Sequence, residues 1–422
     1  MKKFLSVMIV CAFGLAQVYT WEDCLSLAKQ NNISLHSARV KVDARKISLE
    51  SLHSGLYPQL GGSLGANSGA SAGQDEDLLQ VTPRNSQSAR LSAQQQVYNA
   101  QTSPRIEQGK LALAAEELNY QIAEINLRLQ LRQEFCALLQ TQQSLDLART
   151  AAERRRQQYE LVELRYSGGL EHRGSLLTAK ANLTKAELSE QQLARRLTRN
   201  KLKLAQTIGL DPLEEIQITD DLTIHTDLTH RPALHELIHN SPTLQSVAAR
   251  LDSAQYDTAI AQAAYIPSVY LSGSLGKNWS QNNIGGTTIQ DESSSWSLGG
   301  SLSFDILDGG KRKNSVRNAE LQEQIQTYEL DLSKQRVRLT LEEAWNSLLD
   351  ARDSIVSAQE LLEATTERST IAAEQYANGL ISFDNWIIIE DALINAQQQE
   401  LSSRIDALLQ EAAWLNAKGE TL

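Results

Sequence analysis

The sequence predicts a mainly α-helical protein with a small amount of antiparallel β-structure, arranged as two tandem structural repeats. Three observations predict this fold class. An apolar segment with a basic start occupies the N-terminus, a set of residues recurs after about 210 positions, and two uninterrupted segments are too long for helices of a globular core. The first concerns residues 1–20, and the other two concern the rest of the chain.

Residues 1–20 have the pattern of a secretory signal peptide. Lys2 and Lys3 form the basic start, an apolar stretch follows, and small residues precede an expected cleavage site near Ala16 to Thr20. About 13 apolar residues are too few to span a bilayer as a helix. We therefore expect this segment to be removed on export.

The charge balance is acidic. Loss of residues 1–20 removes two Lys and no acid, so the formal net charge changes from −11 to −13. This balance, without a basic stripe, argues against nucleic acid as a partner. After loss of Cys11, only Cys24 and Cys136 remain, which is too few for a disulfide framework.

The remaining chain contains an internal sequence repeat. "YSGGL" from Tyr166 to Leu170 recurs as "YANGL" from Tyr376 to Leu380, and Gly209 recurs as Gly419. We therefore expect a first structural repeat over 21–230 and a second over 231–422. At each repeated turn, a glycine in the left-handed conformation would reverse the chain between two helices.

Each repeat predicts the same series of elements: a helix, a β-hairpin, a very long helix and a return helix. In the first repeat the hairpin is expected at about 59–99, the long helix at 104–167 and the return helix at 171–208, with a linker after it. In the second repeat we expect a helix at 231–266, a hairpin at about 268–307, a long helix at 311–377 and a return helix at 382–418. The long helices need coiled-coil partners, because helices of this length are unusual in a globular core.

The predicted hairpins alternate with a two-residue period. Trp296, Leu298 and Leu302 share one parity with Phe304 and Ile306, while serines and an aspartate take the other. Short alternating segments are typical of outer-membrane strands, although an ordinary antiparallel sheet with one wet face fits the same pattern. The signal peptide favours the membrane β-barrel, as do Trp279 and Trp296, which suit a membrane interface.

Four strands per chain predict an oligomer. A membrane sheet cannot leave its edges open to lipid, and four strands are too few to close a barrel. Two copies would supply eight strands, whose interior side chains would fill. Three copies would supply twelve strands and leave room for passage.

The order of elements, the shifted halves, the two tip turns and "NSPTLQSVAARLDSAQYDTAIAQAAYIPSVYLSGSLG" resemble the TolC-like outer-membrane efflux proteins. The resemblance covers nearly the whole mature chain. It implies a homotrimer with a 12-stranded barrel in the outer-membrane lipid and a periplasmic α-helical tunnel. It also implies coupling to an inner-membrane pump of the RND or ABC type through a periplasmic adaptor protein.

The resemblance also implies functional residues at the tips. Those that match the family's adaptor-contact positions are Tyr166, Gly169, Leu170, Tyr376, Gly379 and Leu380. The family places a periplasmic gate shortly after the second tip tyrosine, where this chain has Asp384 and Asn385. Asp384 fits equally well as an N-terminal residue of a helix, where its charge is favourable.

One motif points to another class of protein. "HELIH", from His235 to His239, matches a zinc hydrolase pattern in which Glu236 would be the general base. Its place at the start of the second repeat leaves no globular domain around it, so surface histidines are the favoured interpretation. A non-catalytic metal site that uses His225 or His230 is a further alternative.

Together these observations predict an outer-membrane channel of a tripartite efflux or type I secretion system. The channel would be a passive conduit, with no catalytic residue, cofactor or metal of its own. The alternative is an exported coiled-coil scaffold protein without a pore. The sequence leaves the cargo open, because polar tunnel walls give little selectivity.

Overall fold

A computed structural model describes residues 17–75, 78–211, 216–220, 222–228, 232–284 and 287–422. The predicted signal peptide therefore lies almost entirely outside the described residues. The chain divides into two compact units. A helical unit contains the described residues up to Arg39, then 119–244 and 333–422, and a sheet unit contains 40–118 and 245–332.

The first half of the chain contains seven of the secondary-structure elements. They are β1 (Gln17–Tyr19), α1 (Trp21–Asn31), α2 (Ile33–Ser54), β2 (Gln59–Asp75), β3 (Leu78–Tyr98), α3 (Thr102–Ser167) and α4 (Arg173–Ile208). The second half repeats their order. It contains β4 (Ile216–Ile218), α5 (Leu234–Asn240), α6 (Pro242–Ala263), β5 (Ser268–Ile284), β6 (Thr287–Ser303), α7 (Lys311–Ala377) and α8 (Phe383–Lys418). The predicted fold class, two repeats of long helical hairpins and strand pairs, is confirmed.

The helix expected over 231–266 is instead two helices that meet at Ser241. Ser241 is extended, with ψ 120°, and Pro242 then begins α6 at a position where its missing N–H does no harm. The first repeat has the same break at Asn32, whose side-chain oxygen accepts from the N–H of Leu35 and caps α2. Residues 229–231 lie outside the described part of the chain.

The four long strands form one antiparallel sheet in the order β2-β3-β5-β6. Each strand has 17 or 21 residues and is therefore longer than its alternating stretch. The ladders extend through stretches rich in serine, glycine and asparagine, because backbone hydrogen bonding does not require apolar side chains. The alternation therefore marked only part of each strand.

The hairpin expected to extend to 307 ends earlier, at Ser303. Ser303 pairs with Ser268, the first residue of β5, so Phe304 and Ile306 lie beyond the ladder. Pro267 directly precedes Ser268 and has no N–H to donate, which explains this end. Helix α6 ends at Ala263, before the predicted end at 266, so Pro267 marks the start of the strand.

The sheet has one apolar and one polar face. Leu91 pairs with Leu275, which pairs with Trp296, so three exposed apolar side chains form a row across three strands. The neighbouring positions Ser274 and Ser297 belong to the opposite face and join through their hydroxyls at 2.9 Å. The predicted two-residue period is thus present in the sheet.

Side-chain contacts give the order of the four long helices within the helical unit. Asn200 of α4 donates to the backbone oxygen of Ala137 in α3, at 3.1 Å. Asn416 of α8 donates to Ile125 in α3, and Trp414 of α8 packs edge-on against Trp345 of α7, 5.1 Å between ring centroids. The order is therefore α4, α3, α8, α7.

The main core of the helical unit lies where α1, α3, α4 and α8 meet. Phe135 and Leu138 of α3 and Leu204 and Ile208 of α4 are fully buried there. Cys24 and Cys136 are free thiols of this core, and burial raises the pKa of both. None of the helices in the described chain is long and apolar enough to cross a membrane.

The short strands β1 and β4 form a parallel pair that the sequence did not predict. Tyr19 pairs with Ile218, and both belong to the main core. Nearby, Arg132 of α3 forms a buried ion pair with Asp220 at 2.8 Å and lies over the Trp21 ring. These contacts attach both residues 17–21 and the linker between repeats to the helical core.

Candidate functional site

The candidate site is formed by the two helix–turn–helix tips, which join α3 to α4 and α7 to α8. Gly169 and Gly379 have φ of 73° and 75°, in the left-handed region expected from the sequence. The N–H groups of Leu170 and Leu380 donate to Arg165 and Gln375, both at 2.8 Å. The two turns therefore share the six-to-one hydrogen bond of a Schellman cap.

The turns leave one apolar side chain exposed at each tip. Leu170 is 71% exposed and Leu380 is 73% exposed. Both are the residue that directly follows the left-handed glycine. The hydrogen bonds of each turn do not require an exposed leucine at this position. Exposed apolar side chains at both tips are instead typical of a surface that contacts another protein.

The two tip tyrosines have different environments. Tyr166 is half-exposed at the end of α3, whereas Tyr376 is buried at the end of α7. The Tyr376 ring stacks on Trp386 with 4.4 Å between centroids and packs against Phe383. Of the two tyrosines, only Tyr166 is open to contact, so the adaptor-contact hypothesis loses support at Tyr376.

Tyr376 instead connects the two helical hairpins. Its hydroxyl donates at 3.1 Å to Oε2 of Glu171, which lies in the turn between α3 and α4. Arg165 donates through Nη1 to the backbone oxygen of Tyr376 at 3.2 Å and lies over its ring at 4.9 Å. We call Arg165, Glu171 and Tyr376 the tip contact.

Glu171 is held by its own turn as well. The backbone N–H of His172 and the hydroxyl of Ser175 both donate to its Oε1, at 3.1 and 2.9 Å. Burial alone would raise the pKa of Glu171, but these hydrogen bonds and that of Tyr376 keep the pKa below its ordinary value. Burial and the Glu171 carboxylate raise the pKa of Tyr376. Glu171 is therefore ionised and Tyr376 neutral around neutral pH.

The expected gate residues lie in the first turn of α8. Asp384 and Asn385 are both exposed, and the N–H of Asn385 is capped by the Ser382 hydroxyl at 3.3 Å. Asp384 is thus placed to interact favourably with the helix dipole. This position fits the helix-terminal interpretation as well as a gate, and the gate assignment stays a prediction.

The His-Glu-x-x-His segment forms α5, a helix of 7 residues. His235, Glu236 and His239 are exposed on it. Among the described residues, no group of three or more His, Cys, Asp or Glu side chains could hold a metal ion. His230 lies outside the described residues, and His225 donates its backbone N–H to the buried Glu411 at 2.8 Å.

Sequence reasoning missed Arg165, Glu171 and Trp386. At a shift of 210 these positions face Gln375, Ile381 and Leu176, so the two repeats differ where the tip contact forms. The search for equal residues in both repeats could not find them. A comparison of the positions at which the two tips differ could have found them, because each hairpin contributes different residues to the tip contact.

Comparison with known proteins supports the same family over both repeats. The sequence matches the outer membrane efflux protein family over residues 24–210 and 233–419. The outer membrane efflux protein BepC of Brucella suis biovar 1 is 21% identical over 413 residues, which cover 95% of this chain and 85% of that relative. The solvent efflux pump outer membrane protein SrpC of Pseudomonas putida is 26% identical over 190 residues, 44% of this chain and 38% of SrpC.

Solved structures share the fold. The outer-membrane channel OprN superposes with a TM-score of 0.76 at 19% identity and covers 94% of this chain and 89% of its own. The CmeC outer membrane channel of Campylobacter jejuni gives a TM-score of 0.79 at 18% identity, with 94% and 85% covered. At such identities the likeness concerns the fold alone.

The family match confirms the resemblance inferred from the tip turns and the repeat. Family members are trimeric channels that work with efflux pumps, and they are not enzymes. The zinc hydrolase and the pore-free scaffold are therefore not the function of this chain. The chain belongs to the outer membrane efflux protein family and is an outer-membrane channel of the tripartite efflux and secretion systems.

Proposed function

We propose that three copies of this chain form a passive conduit, with a 12-stranded barrel in the outer-membrane lipid and a helical tunnel in the periplasm. The single observation that carries the proposal is the four-stranded sheet. Its outer strands, β2 and β6, each pair on one side only within the described residues. Such edges need partners in lipid, since an unpaired backbone group there costs several kcal/mol.

The faces of the sheet support the same assembly. The exposed apolar row of Leu91, Leu275 and Trp296 suits lipid, and the opposite serine-rich face suits an aqueous lumen. Twelve strands would leave this lumen open, whereas eight would fill it with side chains. Three copies are therefore favoured over two.

The exposed tips are proposed to bind a periplasmic adaptor protein, which couples the conduit to an inner-membrane pump of the RND or ABC type. Leu170 and Leu380 would insert between apolar side chains of the adaptor, and Gly169 and Gly379 would let its backbone approach. Tyr166 borders Leu170 and is open to the same contact. Tyr376 would act from within, through the tip contact.

Opening would separate the two hairpins at their tips. The helices can move as rigid bodies only after the hydrogen bond from Tyr376 to Glu171 and that from Arg165 to Tyr376 have broken. Adaptor binding would supply the free energy by favouring the separated tips. Asp384 and Asn385, exposed in the first turn of α8, would move with the second hairpin.

Photocrosslinking in cells tests the docking site. A photoreactive amino acid replaces Leu380 or Leu170, and the captured protein is identified by mass spectrometry. We expect a periplasmic adaptor at both positions. The control is Tyr328, which is equally exposed on α7 but belongs to the sheet unit. Adaptor capture at Tyr328 and not at the two leucines would refute tip docking.

A further inference from the structure

The two flanks of the helical unit have opposite charge. Because the long helices follow the order α4, α3, α8, α7, the outward faces of α4 and α7 are the two free flanks. A cyclic assembly of identical copies brings one flank against the other, because its contacts are heterologous. The two flanks should therefore be complementary to each other.

The flank of α4 is basic in a chain whose net charge is −11. Arg195, Arg196, Arg199 and Lys203 are exposed on it within three turns of helix. The three arginines also border an open groove that Gln398 of α8 lines. None of these four side chains has an ion-pair or hydrogen-bond partner among the described residues. The acids of α4 do not neutralise them, since Glu187 and Glu190 pair with Arg156 and Arg149 of α3.

The flank of α7 is acidic. Asp353, Glu360, Glu367 and Glu374 follow one another at intervals of seven residues and lie on the outward side of the helix. A seven-residue interval keeps them on one line along the helix. That line lies opposite the buried seam of α7, which includes Leu348, Ala351 and Ala358 and faces α8. The acidic line therefore points away from α8, and of its members Asp353 also pairs with the neighbouring Arg352 of its own helix at 2.7 Å.

The charges of the two flanks lie at matching levels. In α4, Arg195 and Arg199 follow its first residue by 22 and 26 positions, which places them about 33 and 39 Å from the tip end. In α7, Asp353 and Asp350 precede its last residue by 24 and 27 positions, about 36 and 40 Å from the same end. In copies related by an axis along the helices, these levels coincide.

Exposed apolar residues match at the same register. Leu188 of α4 lies about 22 Å from the tip end, and Leu361 of α7 lies about 24 Å from it. They are 49% and 51% exposed. Closer to the tip, Leu177 lies about 6 Å from the tip end of α4, and Ile371 lies about 9 Å from the tip end of α7. Both side chains are also exposed.

We propose that the α4 flank of one copy docks on the α7 flank of the next copy, with Arg195 and Arg199 against Asp350 and Asp353 and with Leu188 against Leu361. The occupant of each flank is thus a second copy of this chain. This inference rests on the proposed trimer and goes beyond it, because it names the helical surfaces and their register. The charges set the register, and the leucines supply buried area.

Short-range crosslinking tests the register. Leu188→Cys and Leu361→Cys are combined in the full chain, purified from membranes and treated with a short bismaleimide. We expect dimers and trimers on a denaturing gel. The matched control combines Leu188→Cys with Ile371→Cys, whose levels differ by about 13 Å, and should give neither. The native Cys24 and Cys136 are fully buried and are monitored in the unmodified chain.

Charge exchange tests the ion pairs. Arg195→Glu with Arg199→Glu should shorten the lifetime of the trimer in detergent at low salt at least several-fold. Adding Asp350→Arg and Asp353→Arg to the same chain should restore the lifetime of the trimer. If the first two substitutions had only damaged the structure of α4, these additions would not restore it. Failure of the exchange to restore the trimer would overturn the charge match.

The mass of the untreated protein distinguishes a failure of the flank docking from a failure of the proposed trimer. A trimer by native mass spectrometry that gives no crosslink between the cysteines introduced at positions 188 and 361 would overturn the docking of these flanks and leave the trimeric conduit intact. A chain that stays monomeric before any treatment would overturn both.

Discussion

At the scale of single residues, the proposed opening of the channel depends on the tip contact. Tyr376 combines a buried ring, stacked on Trp386, with a hydroxyl that reaches Glu171 of the other hairpin. The ring stabilises α7 against α8, whereas the hydroxyl joins the two hairpins. The two roles can therefore be separated by substitution.

Tyr376→Phe should keep the stack and lose the hydrogen bond. We expect the closed tip to be destabilised by about 1 kcal/mol, since the lost bond has a charged acceptor that is partly open to solvent. Hydrogen exchange of the tip turns in the full-length protein measures this. Tyr159→Phe is the control, because Tyr159 donates at 2.9 Å to Glu163 of its own helix. Equal exchange in both variants would contradict the assignment.

The tip should also respond to acid. The pKa of Glu171 is lowered in the folded tip from its ordinary 4.5, so its hydrogen bonds stabilise the closed tip above that pH. The contribution is lost as the pH falls through the lower folded pKa. We expect single-channel conductance of the wild type to rise as the pH falls below the ordinary Glu pKa of 4.5 and through the lower pKa of the folded tip. Glu171→Gln should remove this acid step, and an unchanged step in that variant would exclude Glu171 as its source.

At the scale of elements, the repeat and its turns were predictable, because glycine at a helix end and a recurring turn are local signals. The long helices were predictable because neither glycine nor proline interrupts the sequence after the first turns. The β1–β4 pair was not, since it joins residues about 200 positions apart in the chain. The break at Ser241 was missed although it has a local signal, because a residue before proline disfavours the helical conformation and Pro242 suits the first position of a helix. The alternating stretches covered only part of each strand, because backbone pairing continues through polar residues.

The turns give a direct test of the conformational argument. Gly379→Ala should destabilise the second hairpin by about 1 kcal/mol, because its φ of 75° is unfavourable for a residue with a Cβ. No crowding adds to this, since the nearest atom to the added Cβ would be Nη2 of Arg165 at 3.9 Å. Gly168→Ala should cost nothing, and thermal unfolding compares the two. Equal losses would contradict the left-handed turn.

The β1–β4 pair predicts where the mature chain begins. Tyr19 is buried in the main core, and β1 starts at Gln17. Cleavage after Ala16 would preserve this strand, whereas cleavage after Tyr19 would remove it. We therefore expect N-terminal sequencing of the protein from outer membranes to begin at Gln17, and a start at Thr20 or later would contradict this.

At the scale of the whole molecule, incomplete closure links the fold to the function. Within the described residues, one chain has a four-stranded sheet whose outer strands β2 and β6 each pair on one side only, and a helical unit with two charged flanks of opposite sign. The proposed cyclic trimer would pair the outer strands of neighbouring copies and would bring the two flanks together. The sequence predicted the shortage of strands from their count, but the order of the helices, and hence the identity of the flanks, required the structure.

Native mass spectrometry combined with planar-bilayer recording, on one preparation extracted from outer membranes, tests this claim most directly. We predict a single species of three copies that inserts and conducts. A monomer that inserts and conducts on its own would contradict it, because one copy would then have sealed its sheet against lipid without a partner.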